Sequence, residues 1–240
     1  MNPRSQKEAD TIFSSVYNFA KISKNADVVV CPPFPFLSIG KKIKSQKVSL
    51  GAQNVSYAIE GAYTGEVSPL MLVSFGVKYV IVGHSEVRSQ GETNEIINKK
   101  LLNIFKNKLT PILCIGESVR DSHGEYLSFI KNQILLCLAN VSKTQMINLV
   151  VAYEPVWAIG ESATREATPE EFVEISIFIR KIISDLYGAK IAHSIKILYG
   201  GSVHSENAKL FLLDGHADGL LVGRDSLNPK KFGAIINATE

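Results

Sequence analysis

A chain of 240 residues, 45 % hydrophobic and 20 % charged, has the composition of a folded domain and excludes a disordered or collagen-like polymer. Its 26 Lys and Arg against 23 Asp and Glu leave a net charge of +3, too small a surplus to make nucleic acid the main partner. Three cysteines without a Cys-x-x-Cys pair predict neither a disulfide scaffold nor structural zinc, the apolar runs are far too short to cross a bilayer, and the N-terminus lacks the apolar core of a signal peptide, so a cytoplasmic location is expected.

In chain order, residues 6–22 read as an amphipathic helix, with Ile12, Phe13, Val16, Phe19 and Ala20 on one face. Short apolar runs at 27–31 and 48–52 read as strands. Ser68-Pro69 opens a short helix that Gly76 closes. A third strand at 79–83 is followed by a helix over 94–105, with Ile97, Leu101, Ile104 and Phe105 on one side. Strands at 110–115 and 149–153 come next. Thr168-Pro169-Glu170-Glu171 is an N-cap, a first-turn proline and a capping-box glutamate, and Gly188 ends the helix it opens. Strands at 195–199 and 219–223 follow, and Asn228-Pro229 starts the last helix.

Most of these strands are continuous in Val, Ile and Leu rather than alternating, the pattern of strands covered on both faces in a parallel sheet. Strand–helix alternation implies an α/β fold with right-handed crossovers. An open doubly wound sheet and a closed eight-stranded barrel both satisfy it. No Gly-x-Gly-x-x-Gly and no Walker loop supports the open sheet, and nothing marks a domain boundary, so a single domain over 1–240 is expected. In a barrel, chemistry gathers at the carboxyl ends of the strands. His84 follows the third strand, Glu154 the fifth and Gly200-Gly201-Ser202 the sixth, while Gly223 closes the seventh. A carboxylate, an imidazole and two glycine-containing turns on one rim point to a small anionic substrate. The other four histidines, His123, His193, His204 and His216, show no ligand spacing and read as surface.

Val-Ala-Tyr-Glu-Pro-Val-Trp-Ala-Ile-Gly from Val151 to Gly160 resembles the signature of the triosephosphate isomerase family. Gly83-His84-Ser85-Glu86 is similar to its second active-site segment. Gly51-Ala52-Gln53-Asn54-Val55 and Gly61-Ala62-Tyr63-Thr64-Gly65-Glu66 resemble its subunit-contact loop, and Tyr199-Gly200-Gly201-Ser202-Val203 and Leu221-Val222-Gly223 its phosphate-binding turns. The resemblance implies a (β/α)8 barrel that interconverts dihydroxyacetone phosphate and glyceraldehyde 3-phosphate through an enediol. It implies Glu154 as the base and His84 as a neutral electrophile, with neither metal nor organic cofactor. It also implies that backbone N–H groups at Gly160, Ser202, Gly223 and Arg224 bind the substrate's phosphate. A mobile lid over 161–168 would hinge at Pro155-Val156-Trp157, excluding water when closed. A homodimer is implied through the loop of residues 53–66, with Thr64 inserted into the second subunit. A place in glycolysis, gluconeogenesis and pentose phosphate metabolism follows, with neither a nucleic-acid nor a membrane partner.

Three positions depart from the family pattern. Relatives begin with a strand ending in Asn-x-Lys, and Met1-Asn2 aligns just after that lysine, so the first strand and the lysine are missing from this sequence. The expectation is an upstream start codon, with in-frame DNA encoding that strand. About two extra residues separate Gly160 from the helix at Pro169, and Glu161 adds a negative charge there. Arg224 stands where many relatives have a second glycine. The competing readings are another barrel acting on a phosphorylated sugar or indole precursor, and an N-terminally truncated, catalytically silent relative kept for binding or carrying a misassigned start codon.

Overall fold

A computed structural model describes residues 1–239 apart from Glu161, Ser162 and Thr164. Seven strands form one all-parallel sheet in sequential order: β1 (Val28–Val30), β2 (Val48–Ala52), β3 (Tyr79–Val82), β4 (Thr110–Ile115), β5 (Val150–Tyr153), β6 (Lys196–Tyr199) and β7 (Gly219–Leu220). Each lies inside a run expected to be a strand. The two edge strands are the most shortened, because each has a ladder partner on one side only.

The α-helices in chain order are α1 (Gln6–Ala20), α2 (Pro69–Ser74), α3 (Ser85–Arg88), α4 (Asn94–Lys106), α5 (Glu125–Cys137), α6 (Lys143–Met146), α7 (Pro169–Tyr187), α8 (Ala189–Ser194), α9 (Ala208–Leu213) and α10 (Pro229–Asn237). The caps act as their sequences require. Ser68 Oγ accepts from Met71 N, Thr168 and Glu171 form a reciprocal capping box, and Asn228 Oδ1 accepts from Lys230 N and Lys231 N. Helix α5 is not marked by periodicity, because its apolar residues circle the helix. Ile130, Ile134 and Cys137 are buried while Phe129, Leu135 and Leu136 are exposed.

Alternation along the strands separates two cores. Val80, Val82, Leu113, Ile115, Val151, Tyr153, Ile197 and Tyr199 pack with helix residues such as Ile97, Leu101, Phe172 and Ile175. The opposite parity, Ile81, Ile112, Cys114 and Ala152 with Tyr79, Val150 and Leu198, faces the interior. Both faces are therefore covered, which is why the strands read as continuous apolar runs.

Among the described residues no ladder joins β7 to β1, so the strand layer is open at that seam. The helix layer spans it. Ala20 of α1 and Ile236 of α10 pack with Val28 and Val48, flanked by Phe19 and Phe232. Gly233 lies so close that a Cβ there would come within 2.8 Å of the Phe19 ring.

Candidate active site

Strand β3 ends at Val82, and Gly83 turns the chain with φ +71°, a left-handed conformation that favours glycine. His84 follows as the N-cap of α3. Arg88 fixes this turn: its Nε donates to Gly83 O at 2.7 Å, one terminal nitrogen to Cys114 O at 3.1 Å and the other to Asn94 Oδ1 at 2.7 Å.

Glu154 is delivered by the end of β5. Its N–H donates to Ile115 O at 2.8 Å, and Gly200 N donates to Tyr153 O at 2.8 Å, so the sheet holds the backbone from both sides. Gly116 is required on β4's side, since a Cβ there would fall 1.8 Å from Glu154 O.

The Glu154 residue is 2 % exposed, yet its carboxylate is satisfied. Oε2 accepts from Ser85 N at 2.9 Å, and Oε1 lies 2.9 Å from His84 Nε2. On the other side of the ring, Nδ1 accepts from Glu86 N at 3.3 Å. A single proton on Nε2 serves both contacts, so the geometry accommodates a neutral imidazole that donates from Nε2. Two influences oppose each other at the ring. Burial favours the neutral ring, but the hydrogen bond and charge of Glu154, with the charge of Glu86, outweigh it and hold the His84 pKa above its ordinary value.

The turns expected to hold an anion border the same space. Ser202 Oγ donates to Ala158 O at 3.1 Å, and Ser202 O accepts from Asn207 Nδ2 at 2.7 Å, which fixes the turn after β6. Gly160 is exposed, with φ +84°. Gly223 caps a short 3₁₀ turn, Arg224–Leu227, and its carbonyl accepts from Ser226 N and Oγ. The Arg224 side chain is exposed and, among the described residues, makes no hydrogen bond or ion pair, whereas neighbouring Lys231 pairs with Asp225 at 3.0 Å. His84, Glu154, Gly160, Ser202, Gly223 and Arg224 all line one continuous cavity of about 1640 Å³, which extends through the interior to the open seam. The sequence expects His84, Glu154, Ser202 and Gly223 on one rim, the family resemblance adds Gly160 and Arg224, and all six line this cavity. Of the expected lid, Glu161, Ser162 and Thr164 lie outside the described residues.

Four residues around the site are not legible in the sequence as its neighbours. The Ser85 N–H is a backbone donor, which no motif advertises. Glu117 is 1 % exposed, and its Oε1 accepts from Tyr153 OH at 2.8 Å and Trp157 Nε1 at 2.7 Å. Its place just after β4 was the available signal. Arg165 stacks over Trp157. His204, expected at the surface, is half-buried in the cavity wall with Nε2 3.3 Å from Glu166 Oε2, because the turn after β6 folds against Glu166.

Among the described residues no group of three His, Cys, Asp or Glu is placed to hold a metal ion. Among the same residues no helix is long and apolar enough to cross a membrane.

The family model for triosephosphate isomerase matches residues 1–239. A triosephosphate isomerase of Carboxydothermus hydrogenoformans is 43 % identical over 235 residues, covering 97 % of this chain and 93 % of the relative. One from Dictyoglomus turgidum is 41 % identical over 231 residues, 94 % of this chain and 92 % of the relative. One from Clostridium botulinum is 42 % identical over 234 residues, 96 % and 93 %. With its all-parallel α/β architecture, its strand-end carboxylate and imidazole in contact, and a match along almost its whole length, the chain belongs to the triosephosphate isomerase family.

Proposed function

We propose that Glu154 and His84 carry out the isomerisation of this family, interconverting dihydroxyacetone phosphate and glyceraldehyde 3-phosphate. The division of labour is the established one for the family. Glu154 removes a proton from the carbon beside the carbonyl. His84 Nε2–H polarises the carbonyl oxygen and passes protons between the two oxygens of the enediol. Substrate entry breaks the Glu154–His84 contact, releasing Oε1 as the base and Nε2–H as the donor. Loss of the carboxylate's hydrogen bond and charge from the imidazole then favours its neutral form. The N–H groups of Gly160, Ser202, Gly223 and Arg224 hold the phosphate, so that the reacting carbons lie over the two side chains.

The observation that carries this reading is the 2.9 Å contact between Glu154 Oε1 and His84 Nε2 on the wall of the cavity that also holds the glycine and serine turns. A coupled assay on the purified chain tests it. Glu154→Gln and His84→Gln are each expected to lower kcat by about 10²–10⁴-fold. Wild-type turnover in either variant rejects the corresponding role.

The loop of residues 53–66 supports pairing with a second copy of the chain. Residues 61–66, Thr64 among them, are exposed, and beside them α2 presents Leu70, Met71 and Val73 to solvent. A cytoplasmic enzyme of glycolysis, gluconeogenesis and pentose phosphate metabolism is supported by the substrate class and by three free thiols, Cys31, Cys114 and Cys137.

A further inference from the structure

The backbone beyond Glu154 is tied down at two separate points. Val156 N donates to Glu117 O at 3.0 Å, and Ala158 N to Pro155 O at 2.8 Å, forming the one-turn 3₁₀ helix Val156–Ala158. Trp157 sits in that turn, three residues after Glu154. Its indole N–H is held by the buried Glu117 carboxylate. Against the indole lies the guanidinium of Arg165, 4.5 Å from the ring centroid.

The same guanidinium is anchored elsewhere. Its two terminal nitrogens donate to the two oxygens of Glu171, at 2.8 and 2.6 Å, and one also donates to Glu166 O at 3.1 Å. Glu171 is not a loose partner. Its carboxylate also accepts from Thr168 N at 2.9 Å, completing the capping box of α7. The next residue, Phe172, is fully buried against Tyr153 and Tyr199, at the ends of β5 and β6. Arg165 therefore stacks on the turn that follows the base and is forked onto the first turn of a helix seated in the core. A planar cation with two parallel N–H donors does both at once; an ammonium does not.

We propose that Arg165 is a positioning residue for the catalytic base: by bridging Trp157 to Glu171 it holds the turn after β5, and with it the Glu154 carboxylate, in register. The proposal rests on the reading of Glu154 as the base. Arg165 itself is half exposed and is no contributor to the buried core. An exposed ion pair adds little to stability, so its consequence falls on geometry, where small misplacements of a reacting group are costly.

Trp157 is the only tryptophan in the chain, so the intrinsic emission reports on this stack. The variants Arg165→Ala, Arg165→Lys and Glu171→Gln are compared with wild type by acrylamide quenching of Trp157, thermal denaturation and steady-state kinetics. Arg165→Ala is expected to raise the quenching constant and to lower kcat about tenfold, with KM within about twofold and a Tm close to wild type. Arg165→Lys keeps the charge beside Glu171 but loses the fork and the plane, so it falls between the two. Glu171→Gln, which loosens the fork, shifts quenching and kcat in the same direction as Arg165→Ala. Unchanged kcat in Arg165→Ala overturns the proposal. So does a raised KM with kcat intact, which would make Arg165 a contact for substrate charge. A failure of the base assignment is visible separately, as full turnover by Glu154→Gln, and leaves the Trp157 quenching comparison unaffected.

Discussion

His84 touches one carboxylate through Nε2 and one backbone N–H through Nδ1, and these two contacts favour different protonation states. The carboxylate prevails, and the ring's pKa lies above the ordinary histidine value of 6.5. For a histidine raised on folding, the stabilisation is fully present below the unfolded value and is lost as pH rises through the folded one. An NMR titration of the five histidines is expected to show the His84 ring titrating above 6.5. In Glu154→Gln both the charge and the ion-paired hydrogen bond are gone, and burial opposes protonation, so the titration moves down. A His84 resonance that ignores the Glu154 substitution would mean that the two side chains do not meet in solution.

At the scale of the element, the loop between β2 and α2 combines a braced base with an exposed tip. Lys100 of α4 is buried, donates to Asn54 Oδ1 at 2.8 Å and pairs with buried Glu92. Ser56 N donates to Val67 O at 2.8 Å, and Asn103 Nδ2 reaches Tyr57 O. A buried ion pair with one partner removed is strongly destabilising, so this base is a rigid support. A rigid arm ending in exposed Tyr63 and Thr64 suits insertion into a second copy, since little ordering entropy remains to be lost. Sedimentation velocity is expected to give twice the chain mass of 26.3 kDa, and Thr64→Arg to shift it toward the monomer. A wild-type chain that sediments as a monomer at micromolar concentration contradicts the pairing.

At the scale of the whole molecule, the seam between β1 and β7 is bridged by helices rather than by a ladder. Its strength depends on how closely α1 approaches α10, and Gly233 permits that approach, with Phe19 where a Cβ would project. Gly233→Ala gains helix propensity but must displace the Phe19 ring. The overpacking term is expected to dominate, at a net cost of about 1–3 kcal/mol in urea denaturation. A stabilised variant would show that α1 and α10 have room to spare and that the seam is held from elsewhere.

Much of the architecture was determined by the sequence alone. Val80, Ile81 and Val82 could not sit in a strand wetted on one side, and Thr168-Pro169 and Asn228-Pro229 declare helix starts through their own backbone chemistry. Glu154 and His84 stand out because each directly follows a buried strand, where a polar side chain has a rim to face, and their expected roles come from the resemblance of Tyr-Glu-Pro-Val-Trp and Gly-His-Ser-Glu to the family's segments. Helix α5 was hidden because its apolar residues circle the helix. The contacts that set the chemistry join residues far apart in the chain: Ser85 N–H to Glu154 across 69 positions, Trp157 to Glu117 across 40. Local propensity carries no information about such pairs. Only the curled sheet, by bringing the ends of β3, β4 and β5 side by side, decided that the Glu154 carboxylate would be held by a backbone donor and an imidazole. It decided likewise that α1 and α10 would span the seam where the strands do not meet.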